Sequence, residues 1–224
     1  MNTALRLLET ELSHPSSFDE GVEAARNACA AGASIAAAAI AAAAYYDNPL
    51  TGLGALRELM ARLRDVPNEL APWSRALARA PHAETDDHFT PGFGFVTPER
   101  AERTLAACRR LVELAGARSA PRCDFLLEHQ RCLAELAGPL NETGLAALAY
   151  LDAGVDSESA ERRWLEARLS VAIAEAQRAR RAGVAAFPFA FGRYVYDGPS
   201  PAPVPLDLQG LKRKLGLDGL DRDG

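Results

Sequence analysis

Three short strings in this chain combine glycines with residue types able to hold a ligand. The strongest is Asn141-Glu142-Thr143-Gly144, preceded by Gly138-Pro139-Leu140 and followed by LAALAYLDAG. A loop feeding a helix N-terminus presents free amides that favour anionic groups. The plainer alternative is that Asn141 simply caps the helix. The second string is Pro91-Gly92-Phe93-Gly94-Phe95, which ends a long loop just before a helix. Its two glycines admit positive φ and a close backbone approach by a ligand. The third, Asn48-Pro49-Leu50-Thr51-Gly52-Leu53-Gly54-Ala55, is a glycine-punctuated turn between helices.

Other chemistry-bearing residues are scattered. His82 and His88, with Glu84, Asp86 and Asp87 between them, are metal-ligating types. Their spacing fits no common site, so a solvated acidic loop is the preferred reading and no metal is assigned. His129 lies on a largely apolar helix face and reads as a hydrogen-bonded core residue. Trp73 and Trp164 read as core, and Arg178, Arg180 and Arg181 as a solvated helix end favoured by the dipole. Cys29, Cys108, Cys123 and Cys132 lack C-x-x-C spacing. They read as buried free thiols of a cytoplasmic protein, and the start Met-Asn-Thr-Ala-Leu-Arg is not a secretory signal.

Helices must position these strings. The pattern predicts helices over about 3–12, from Ser16 or Ser17 (with Glu20 completing a capping box) to Ala31-Gly32, and from Ser34 to Tyr46. Further helices are predicted over 54–65, from Asn68 to about Ala80, and from Thr97-Pro98-Glu99 onward, with Ala101, Leu105, Cys108, Val112 and Ala115 as its apolar stripe. The remainder are predicted over 122–137, from Glu142 to Ala153, and over 157–182, the last burying Ala160, Trp164, Ala167, Val171 and Ala174. Residues 81–94 read as a loop. After Gly183 the chain turns proline- and aromatic-rich, as an extended strap would.

Composition agrees with closely packed helices. Apolar residues make up 48% of the chain, much of it alanine, and aromatics only 7%, which disfavours a sheet rich in Val, Ile and Tyr. The net charge is −5 with no basic face, arguing against nucleic acid or an anionic membrane as partner. Residues 28–44 are too short and too weakly hydrophobic for a membrane span. A helix buried on most sides is the expectation there. The chain is long enough for one sizeable core.

In order and spacing, the three strings resemble the citrate synthase superfamily, in particular its short citryl-CoA lyase-like members. There the loops read approximately G-P-L-H-G-G-A, G-F-G-H-R-V-Y and L-N-V-D-G, the last followed by A-L-A-A-L-L-L-D-L-G. Here PSSFDEGVEAARNACAAGAS resembles the family's A-S-T-F-A-A-R segment, RLSVAIAEAQRARR its R-x-x-G-x-x-A-H-x-x-E helix, and YVYDGPSPAPVP its Y-x-G-P-x-P strap. The resemblance covers residues 10–208. It implies an all-α, citrate synthase-like fold, truncated at the N-terminus, with an extended proline-rich C-terminal strap. The implied blocks are 1–80 (large-domain helices, including the alanine-rich dimer helices), 81–155 (small-domain-like helices and cleft loops) and 156–224 (long helix and strap).

What the resemblance implies for chemistry is a loss. The histidine that polarises the thioester carbonyl falls at Thr51, and the one supporting the electrophilic carbonyl falls at Phe95. The aspartate that removes the α-proton falls at Thr143, beside Glu142, and the helix histidine falls at Glu175. Arg168 matches an arginine that holds a substrate carboxylate, while Asn141, Gly92 and Gly94 fall on the substrate-facing loops. The basic residues that meet the coenzyme have no counterpart before Pro98-Glu99-Arg100. A positioned base contributes ~10²–10⁴-fold and an oxyanion donor a similar factor. Thr143 is no base near neutral pH, Phe95 neither donates nor accepts a proton, and Thr51 can donate but not become a cation. Glu142 stands one residue off, about 100° round a helix.

Two functions follow as expectations. The first is a repurposed member that binds, and on the enzyme reading transforms, a small carboxylate or acyl substrate in an interdomain cleft, by lyase- or acyltransferase-like C–C chemistry or a new reaction. The alternative is a non-catalytic subunit, forming a homodimer or pairing with an active paralogue through residues 17–31 and 33–46. Coenzyme A thioester is the cofactor the resemblance implies, and the residues by themselves assign none.

Overall fold

Five of the ten α-helices among the described residues begin at a side chain that accepts an amide proton. In the computed structural model, which describes residues 3–12, 19–49, 51–78, 80–81, 88–94 and 96–183, Asp19, Ser34, Thr97, Asn141 and Asp156 each accept an N–H from the residue three places on. Each such cap is worth about 1 kcal/mol. The helices are α1 (Thr3–Leu12), α2 (Glu20–Ala30), α3 (Ile35–Tyr46), α4 (Leu53–Leu63), α5 (Leu70–Ala76), α6 (Pro98–Ala115), α7 (Pro121–Glu128), α8 (Gln130–Ala137), α9 (Glu142–Asp152) and α10 (Ser157–Ala182). A 3₁₀ turn, Ala117–Ser119, precedes α7. Two-residue strands β1 (Ala80–Pro81) and β2 (His88–Phe89) pair antiparallel, β2 inside the segment expected to be a loop and β1 where the expected helix was to end. The fold is all-α.

α9 is the centre of the packing. Residues 143–150 are all buried, as a helix apolar on every side requires. α4 packs against it with Leu56, Leu59, Met60 and Leu63, none of them exposed. α10 lies mainly along α2 and α3, and its buried stripe is Ala160, Trp164, Arg168, Val171, Ala172, Ala176 and Ala179. The described residues fall within one compact unit, Met1–Pro188.

Several sequence expectations need correction. α2 is capped by Asp19, whose Oδ1 accepts from Val22 N at 2.9 Å, so Glu20 is the first helical residue and not the far member of a capping box. α5 is shorter than expected because Asn68 donates to Pro121 O at 3.0 Å instead of capping, and Arg62 takes the Ala76 and Ala78 carbonyls. The single helix expected over 122–137 breaks at His129. Its ring stacks on Phe125 at 4.4 Å, and Nδ1 and the backbone N–H both meet Phe125 O. The α6 stripe is turned by one residue, burying Thr104 and Leu111 and leaving Leu105 and Val112 at its edge; Thr104 satisfies its hydroxyl on Arg100 O at 2.9 Å. On α10, Ala174 is exposed and Arg168 is buried. Cys132 is exposed, whereas the other three thiols are buried.

α3 departs from expectation in a way that bears on partners. It is buried only along Ala38, Ala42 and Tyr46, not on most sides. Ile40 is 71% exposed and Tyr45 48%. Among the described residues no helix is long and apolar enough to cross a membrane. The strap, residues 82–87 and Phe95 lie outside the described residues.

Candidate functional site

The two glycine-rich loops are held together by backbone. Gly92 has φ +77°, which only glycine adopts without strain, and its carbonyl accepts Asn141 N at 3.1 Å. A Cβ on Gly144 would stand 2.1 Å from Gly92 O, so glycine at both positions lets the α9 start and the 91–94 loop cross in contact. Gly94 N donates to Pro139 O at 2.7 Å, and Asn141 Nδ2 donates to Gly94 O at 3.3 Å. Asn141 therefore does what the plainer reading gave it, capping α9 through Gly144 N at 3.0 Å, and also ties the loops.

The third loop joins from the other side. Asn48 Oδ1 accepts the Thr51 and Gly52 amides at 2.8 and 3.2 Å, and the Thr51 hydroxyl at 3.2 Å. Thr143, 3% exposed, donates its hydroxyl to Thr51 O. The two positions where the resemblance placed a histidine and an aspartate are thus bonded to each other. Among the described residues neither hydroxyl has a proton-accepting partner of the kind that would make it a nucleophile.

Beside them lies a buried ionic group. Arg168 is only 6% exposed. Its Nη2 donates to Glu142 Oε2 at 2.6 Å and lies 3.0 Å from Asp19 Oδ2. Burial by itself would pull the guanidinium down, but Glu142 and then Asp19 outweigh it, so Arg168 is held firmly protonated. Asp19 Oδ1 also accepts the Tyr46 hydroxyl at 2.9 Å. Burial first, then Asp19, pushes the Tyr46 phenol far above its ordinary range, so it remains a neutral donor. Arg168 sits over the Trp164 and Tyr46 rings at 5.7 and 5.9 Å, within cation–π reach. Arg100 lies 3.7 Å from Glu142 and 3.9 Å from Glu20.

These groups enclose a cavity of about 40 Å³ lined by Thr51, Asn141, Glu142, Thr143, Arg168 and Trp164, with Asp19, Tyr46 and Arg100. A water needs about 10–15 Å³ on this measure, so roughly three fit. Five of the sequence-predicted residues meet here, from three separate stretches of chain. Gly92 and Gly94 support the cavity from behind through Asn141. Glu175 is not part of it; seven residues beyond Arg168 on α10, it pairs with Arg178. Phe95 lies outside the described residues. His129 is half-buried, Trp73 is core, and the described residues hold no group of three His, Cys, Asp or Glu suited to a metal.

Asp19 and Tyr46 were missed by sequence reasoning, and Trp164 was read as core only. The available signal was Asp19 itself, an acid directly before the α2 pattern, masked by the two serines that look like better caps. No family model matches the chain, and no curated protein matches it significantly.

Proposed function

We propose that this chain is a citrate synthase-like scaffold whose small cleft binds a short, uncharged acyl compound and orients it without acid–base catalysis. The observation that carries the reading is that two residues lining the cavity, Trp164 and Arg168, each hold a buried side-chain donor, Nε1 and Nε, with no hydrogen-bond partner among the described residues. Unpaired buried donors cost about 1–3 kcal/mol each, which a ligand carbonyl oxygen would offset. Charge argues for a neutral ligand over a carboxylate. Three acids (Asp19, Glu20, Glu142) face two arginines (Arg100, Arg168), a balance of −1, and Arg168 already carries two carboxylates. Proton transfer finds no support: Thr143 and Thr51 bond to each other, and Glu142 is committed to Arg168.

Acetamide is a suitable probe. With four non-hydrogen atoms, its affinity is bounded at about −1.5 kcal/mol per atom, a Kd no tighter than roughly 40 μM. At 100 times Kd it adds ~2.7 kcal/mol to stability, read as a shift in Tm. Acetamide should stabilise the protein more than acetate, oxaloacetate or citrate, and Trp164→Phe should weaken the effect. Equal or greater stabilisation by the carboxylates would overturn the reading.

A second reading, a non-catalytic subunit, rests on α3. A helix apolar on every side belongs inside something, yet Ile40 and Tyr45 face outward among exposed alanines. Small side chains permit close approach by a second copy or a paralogue. Light scattering should then show a dimer that Ile40→Asp converts to a folded monomer. A monomer in the wild type, with no pairing partner recovered, removes this reading.

A further inference from the structure

A second cavity, sharing no residue with the first, opens between α6, α8 and the turn before α9, with a volume of about 330 Å³. Its floor is apolar: Phe93, Leu126, Leu133 and Leu140, all 3% exposed or less. Two cations border it, Arg109 from α6 and Arg131 from α8, and among the described residues no carboxylate lines it. Among the described residues neither guanidinium has an ion-pair or hydrogen-bond partner. Gln130 adds a side-chain amide whose Oε1 is buried without a partner among the described residues.

This volume falls in the range of small-molecule sites, which combine apolar walls with a few polar groups that fix orientation. The chemistry of the lining selects one class of occupant. An apolar chain fills the floor, and an anionic head lies between two guanidiniums whose planar forks match a carboxylate. The geometry points to a binding site for a medium-chain aliphatic carboxylate, its tail on Phe93 and Leu133 and its head between Arg109 and Arg131. The inference does not depend on the acyl-binding cleft, because the two cavities have separate walls.

Octanoate and octanol, the same chain with and without the charge, provide the test, by calorimetric titration of the full-length protein. Octanoate should bind at least tenfold more tightly than octanol, because charge-assisted hydrogen bonds form only to the carboxylate. Arg109→Gln with Arg131→Gln should abolish that advantage while leaving octanol binding unchanged. Ala134→Trp, on the exposed edge of the groove, should block both ligands, with circular dichroism confirming that the variant is folded. Equal affinity for the two ligands, octanoate binding that survives loss of both arginines, or no binding at all overturns the proposal. So does a dimer in light scattering that the double arginine variant dissociates, since a second copy would then be the occupant.

Discussion

Asp19→Ala removes three interactions through one carboxylate. The α2 cap to Val22 N is worth about 1 kcal/mol, and the bond from the Tyr46 hydroxyl about 1 kcal/mol more. The third, the 3.0 Å contact with Arg168, is buried on both sides, at 3% and 8% side-chain exposure. Stripping a partner from a buried pair costs about 3–5 kcal/mol when it leaves the charge alone, and less here because Glu142 remains. The terms share one residue and are not strictly additive, so the expected loss is about 3–5 kcal/mol in all. Glu142→Gln removes a carboxylate that is 24% exposed and keeps a hydrogen-bonding amide, so about 1 kcal/mol is expected. Urea unfolding at neutral pH measures both, as a change in midpoint at constant slope. In Tm, the Asp19 variant should fall by roughly 6–20 °C. A double-mutant cycle of Asp19→Asn with Arg168→Met should return a coupling of about 1–3 kcal/mol. A loss below 1 kcal/mol for Asp19→Ala, or a larger loss for Glu142→Gln, would refute the buried ionic group as a structural centre.

Other outcomes follow from the same geometry. Asp152, 1% exposed at its side chain, accepts the Arg122 and Cys123 amides, and burial holds its carboxyl above the usual carboxylate range. Its contribution to stability is therefore fully present below the unfolded value of about 3.9 and is lost as pH rises through the higher folded value. Asp152→Asn cannot titrate, so its deficit against wild type should be larger at pH 3.5 than at pH 7 in urea melts, and a deficit that widens with pH contradicts this. Gly144→Ala sets a Cβ 2.1 Å from the Gly92 carbonyl, with only backbone to give way, and should cost about 3 kcal/mol or more in thermal melts. Gly154→Ala has open space and only its φ of +68° against it, so about 1 kcal/mol is expected; equal losses at the two glycines would contradict the crossing. Thr143→Val should cost about 1 kcal/mol through the lost bond to Thr51 O, and a neutral result would remove that link between the loops.

Local signals in the sequence determined most of the helical layout. The α10 limits were legible because Asp156 caps and Gly183 stops a long periodic run, and α9 because Asn141 caps a continuous apolar stretch. Both are short-range effects carried by residues a turn apart. The alignment of strings likewise brought Thr51, Asn141, Glu142, Thr143 and Arg168 onto one list, which the cavity reunites. Tertiary structure alone decided what those groups do. Arg168 stands on the buried face of α10 because Asp19 and Glu142, 149 and 26 residues away in sequence, meet its charge there, and no periodicity records such a pairing. The break at His129 depends on a ring stacking back on Phe125, and the cap of α7 on Asp152, which is thirty residues downstream of Arg122. Burial sets the energy of each of these contacts. Burial belongs to the packed chain and cannot be read from any single residue or spacing.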